Sequence, residues 1–174
     1  MIDLIPNPLH PAVVHMPIAL IVLLPFFVVG SLIALRKGAR PLIAWGITTA
    51  LLATLSLSAF VALQTGNSQG EKVEKVIGEK VVETHEEMAE SFLILSCVVL
   101  GVAGLGFLKG TPGELARAAT AVGVAALFGV GANVGHTGGQ LVYKHNAASA
   151  LGLVDSAGPA RGGEREEEGE RGGR

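Results

Sequence analysis

Five histidines, His10, His15, His85, His136 and His145, are the residues of this chain with chemistry to offer beyond packing. Neutral imidazole ligates haem iron, zinc and copper. Scores of residues separate some of them, yet the apolar stretches in between return all five to one side of a membrane. Those stretches are residues 12–35, 42–63, 88–108 and 115 to about 134, each with at most one charged side chain. Each has about the 20 residues that a helix rising 1.5 Å per residue needs to cross a ~30 Å hydrocarbon core. With four spans, the start of the first, the end of the second, the start of the third and the end of the fourth share a side. His10 and His15 enter span one, His85 enters span three, and His136 and His145 leave span four.

The predicted fold is therefore all-α, an integral membrane four-helix bundle over residues 1–150. Composition agrees: 49% of residues are hydrophobic and the mean hydropathy is +0.51. A net charge of -2 points to no nucleic-acid partner. Residues 151–174, rich in Gly, Arg and Glu without apolar periodicity, are expected to form a disordered charged tail. The first segment is read as a retained helix, because nothing before Arg36 is basic and no small-residue cleavage pattern follows it. Cys97 lies in mid-span, where it serves as a small apolar residue.

Orientation follows from the basic residues. Arg36, Lys37 and Arg40 occupy the first short loop without an acid, and Lys109 and Arg117 flank the third against Glu114. Short loops rich in Lys and Arg stay in the cytoplasm. A multi-pass protein of the bacterial inner membrane with both termini and all histidines on the periplasmic side is predicted.

Local signals refine the elements. Pro11 suits a first helical turn, while Pro17 and Pro25 predict a bent first span. Thr111, Pro112 and Glu114 match a capping box opening span four. Between spans two and three, Val73, Val76, Ile77 and Val81 recur at three- and four-residue steps among Lys and Glu, which predicts a short amphipathic helix at the interface. His85 continues that strip toward protein or lipid; a bend at Gly78 or Thr84 would leave it solvated instead. Gly131, Gly135 and Gly139 form two overlapping GxxxG steps that admit another helix or a flat ligand. Close contact between spans three and four is expected, with Gly135 more sensitive to a bulky replacement than Gly123.

An imidazole at the edge of a bilayer core is costly unless it is paired or ligates something. His15 and His136 lie at similar depth, roughly 10 Å from the interface when counted at 1.5 Å per residue. They are the first candidate pair of axial haem ligands, and His85 with His145 the second, more exposed one. His10, before Pro11, is the weakest candidate and reads as a helix-cap residue. The competing interpretation makes each histidine an interfacial residue bonded to water or a carbonyl. Hydrolase and transferase signatures fail: Ala89 stands where HExxH needs its second histidine, and Val82 where Glu-x-x-His needs its Glu. Glu83, Glu86, Glu87 and Glu90 offer carboxylates to a cation or simply form a solvated helix face.

The run His10-Pro11-Ala12-Val13-Val14-His15-Met16-Pro17-Ile18-Ala19-Leu20 and the later His136-Thr137-Gly138-Gly139-Gln140-Leu141-Val142-Tyr143-Lys144-His145 resemble the two ends of the bacterial membrane family called domain of unknown function 2231. Asn146 departs from that pattern, which carries Gly there. The resemblance implies a four-helix inner-membrane protein, and a more distant likeness to dihaem cytochrome b bundles implies b-type haem. The leading expectation is an electron carrier, working with a membrane redox partner, that binds haem b through His15, His85, His136 and His145 beside Gly131, Gly135 and Gly139. The alternative is a non-redox accessory subunit that docks a larger membrane complex and carries zinc, copper or no metal.

Overall fold

In the computed structural model, residues 9–145 and 147–150 are described. The expected tail at 151–174 lies outside them. The described residues form six helices: α1 (His10–Val13), α2 (His15–Arg36), α3 (Pro41–Ile77), α4 (Glu79–Leu105), α5 (Thr111–Tyr143) and α6 (Ala147–Ala150). Four helical runs, His10–Arg36, Pro41–Gly70, Glu79–Leu105 and Thr111–Tyr143, are long and apolar enough to cross a membrane. Packing contacts join α2 to α3, α3 to α4, α4 to α5 and α5 back to α2, while the diagonal pairs make none. That ring of neighbours is an up-down-up-down four-helix bundle.

Inward positions recur at three- and four-residue steps. On α2 they are Leu20, Leu24 and Val28; on α3, Trp45, Leu52, Leu55 and Ala59; on α4, Phe92, Val99 and Ala103; on α5, Val124 and Leu127. The outward faces are as apolar as the core. Phe26, Leu42 and Val122 are each more than 70% exposed. Such a surface, unmanageable in water, is what acyl chains cover.

Breaks in the helices have local causes. Pro17 has no N–H to give the Val13 carbonyl, and the helix is interrupted at Val14, separating α1 from α2. Pro25 is accommodated inside α2 without interruption. The amphipathic stretch is the continuation of span two, because nothing between Gln64 and Ile77 breaks the helix. The turn comes at Gly78, whose φ of 93° suits glycine, and Val81 falls on α4. The expected Thr111 cap is replaced by Gly110 at φ 70°, with no side-chain capping bond. Gly110 reverses the chain one residue earlier, and its carbonyl accepts from the Glu114 N–H. Leu108's carbonyl packs against Gly113, where no Cβ would fit.

Polar groups inside the bundle bind across helices. Ser31 donates to the Ala44 carbonyl at 2.6 Å and lies 2.7 Å from the Thr48 hydroxyl, joining α2 to α3. The Trp45 indole N–H donates to the Ala103 carbonyl at 2.8 Å, joining α3 to α4.

Spans three and four do pack closely, but the sensitive glycine differs from the one the GxxxG stripe suggests. A Cβ on Gly123 would come within 2.7 Å of Val99, and one on Gly131 would touch Phe92 and Ile21, whereas Gly135 and Gly139 face open space. Gly123→Leu is expected to lower detergent stability by about 1–3 kcal/mol through overpacking. Gly135→Leu should leave it unchanged, as read from thermal unfolding of both variants.

Candidate paired-histidine site

At the end of the bundle where all the histidines gather, α1, α3, α4 and α5 bring two imidazoles together. His10 lies in the first turn of α1, inside the helix and not before it. Its Nδ1–H donates to the Ala62 carbonyl on α3 at 2.8 Å. Gly66 makes this approach possible: a Cβ there would stand 3.2 Å from His10 Cε1 and Nδ1, so its absence lets the ring lie against the α3 backbone. The Thr65 hydroxyl, 3.4 Å from the same nitrogen, donates back to the carbonyl of Val61 or Ala62.

His85 on α4 is placed in the same manner. Its Nδ1 lies 2.9 Å from Thr137 Oγ1 on α5, and the same hydroxyl lies 3.0 Å from the Val134 carbonyl. Gly138 stands beside the ring, with a Cβ there meeting His85 Cε1 at 3.2 Å. The ring centres of His10 and His85 are 6.5 Å apart and their planes cross at 82°.

A carbonyl can only accept, so His10 carries a proton on Nδ1 and, when neutral, keeps its Nε2 lone pair free. Holding the remote N–H in this way orients an imidazole and raises its basicity as a ligand. Farther along α3, the Glu86 carboxylate lies against Gly70, and Gln69 holds a buried Oε1 without a hydrogen-bond partner among the described residues.

The other candidates are arranged differently. His15 is exposed on α2 and His136 on α5, and no hydrogen bond or ring contact links them. His136 Nε2 lies 2.8 Å from the Gln140 amide nitrogen, one turn along the same helix. His145, half-buried in the turn after α5, is held through its backbone N–H to the Gln140 carbonyl at 3.1 Å. Among the described residues, no group of three or more His, Cys, Asp or Glu side chains is placed to share a metal ion. Cys97 is exposed.

Sequence reasoning ranked His10 last because Pro11 follows it. Proline at N1 or N2 starts a helix readily, which draws His10 into the first turn. The signals that could have found the pair are Gly66, Thr137 and Gly138, the small and hydroxyl residues that receive the two rings.

Neither a curated protein nor a solved structure matches the chain closely enough to count as a relative, and no comparison reaches the dihaem cytochromes. One family model does match, that of the predicted membrane proteins designated DUF2231, over residues 6–150. Four membrane-length helices, the histidine-rich ends and that match agree: the chain belongs to the DUF2231 family of predicted membrane proteins.

Proposed function

We propose that this membrane protein is an electron carrier that would hold b-type haem at the histidine end of its bundle, with His10 and His85 as the residues to ligate its iron. The observation that carries this proposal is the pair itself, two imidazoles from different helices with both Nδ1 atoms held by hydrogen bonds. A porphyrin supplies four nitrogens and asks the protein for two more ligands. Structural zinc asks for four protein ligands and catalytic zinc for three. The two ring centres lie 6.5 Å apart, within reach of a shared metal at bonds of about 2 Å. The haem would supply one-electron chemistry; the protein supplies the ligands, their orientation and an apolar surround.

A second haem would draw on His15, His136 and His145, with the open faces of Gly135 and Gly139 beside His136. The accessory-subunit alternative has one observation in its favour: the same open glycine face on α5 would suit a helix of a larger complex. In that case the histidine pair takes copper, zinc or nothing.

Visible spectra of detergent-purified protein, made with ample haem supply and recorded oxidised and dithionite-reduced, separate these. His10→Ala and His85→Ala should each remove the same low-spin haem signal. The double variant should remove little more, since two ligands of one iron act as a unit. His15→Ala and His136→Ala should leave that signal in place. A wild-type protein without a Soret band excludes haem and leaves the accessory subunit.

The basic loops at the opposite end support an inner-membrane protein with the histidine end outward. A reporter active only in the periplasm should work when fused at residue 160 and fail at residue 38. The reverse pattern would turn the histidine pair toward the cytoplasm.

A further inference from the structure

The end of the bundle opposite the histidines carries a second feature, independent of them. A cleft of about 480 Å³ opens between the start of α3 and the α4–α5 turn, lined by Pro41, Leu42, Leu108, Lys109, Glu114 and Arg117 among others. One side is apolar and faces the bilayer, with Leu42 78% and Leu108 50% exposed. The other side is basic. Arg117 is held in place by its Nε–H, which donates to the Gly106 carbonyl at 2.8 Å. The turn that offers this carbonyl is itself tightly built, with the Trp45 indole packed on Gly106 and the Leu108 carbonyl packed on Gly113. Among the described residues, neither Arg117 nor Lys109 has an ion-pair partner. Around the cleft, Arg36, Lys37 and Arg40 add to the positive field, against Glu114 as the acid on these two loops.

From this geometry we infer that the cleft binds the headgroup of an anionic phospholipid. A phosphate diester at interfacial depth would meet the guanidinium of Arg117, whose terminal nitrogens are free for paired hydrogen bonds, and the ammonium of Lys109. Its acyl chains would lie along Leu42 and Leu108. Glu114, on the same rim, accepts hydrogen bonds and suits a headgroup bearing hydroxyls, such as glycerol. Basic pockets between membrane helices take anionic lipids by this combination of charge and apolar wall.

Retention of lipid by the intact, delipidated protein in detergent micelles, counted by native mass spectrometry at low salt, provides the test. Phosphatidylglycerol should be retained in preference to phosphatidylcholine. Lys109→Gln and Arg117→Gln should each weaken that preference about fivefold, the worth of one basic side chain at a membrane surface. Lys109 makes no structural bond, so its variant remains informative if Arg117→Gln unfolds. Lys37→Gln, at the same end but outside the cleft, should weaken retention distinctly less than Lys109→Gln. Equal retention of the two lipids overturns the assignment. So does an effect of Lys37→Gln as large as that of Lys109→Gln, which would reduce the cleft to a diffuse positive surface. Displacement of the lipid by millimolar inorganic phosphate would show that the site takes free phosphate instead.

Discussion

A bilayer core offers no water to a polar group, so most hydrogen-bonding side chains inside this bundle bond to protein, some to a carbonyl of their own helix, as Ser96 to Leu93 and Thr120 to Ala116, and others across to a neighbouring helix. The bonds that cross between helices set how the helices face one another. Ser31 with Ala44 and Thr48 ties α2 to α3, Trp45 with Ala103 ties α3 to α4, His10 with Ala62 ties α1 to α3, and His85 with Thr137 ties α4 to α5. Individually such bonds are modest, about 0.6–2 kcal/mol in membranes. Their value lies in direction, since apolar packing alone leaves the rotation of a uniformly greasy helix poorly determined.

Glycine makes these ties possible at the histidine end. Gly66 uncovers the α3 backbone for His10, and Gly138 gives His85 room beside Thr137. The same residue type does different work elsewhere, turning the chain at Gly78 and Gly110 and seating Val99 at Gly123. A glycine count or a GxxxG pattern therefore says little until each position is assigned to a face. The two ends of the bundle are chemically distinct, one presenting imidazoles, the other fixed positive charge.

Much of the architecture was legible in the sequence, because span length and the absence of charge are set directly by bilayer thickness. Four spans, their approximate ends and the shared side of the five histidines follow from that alone. The facing of each helix was not legible. Residues such as Phe26 and Val122 are as apolar as Leu24 and Val124, so periodicity does not separate lipid from core. That is why the expectation settled on Gly135 and on a His15–His136 pair, whereas the structure packs Gly123 and joins His10 to His85. The amphipathic stretch at residues 73–77 was recognised, but not its continuity with α3, along which Gly66 lies against His10 and Gly70 against Val82 and Glu86.

The central claim is that His10 and His85 share one iron, and the angle between their rings makes a direct test. Imidazole planes crossed near a right angle leave the iron d orbitals close to degenerate. Low-temperature electron paramagnetic resonance of the oxidised, haem-loaded protein should then show a strongly anisotropic low-spin signal with a very large principal g value, in keeping with the 82° between the two planes. An ordinary rhombic low-spin spectrum alone, the mark of near-parallel imidazoles, or survival of the large-g signal itself in His10→Ala, would contradict the account.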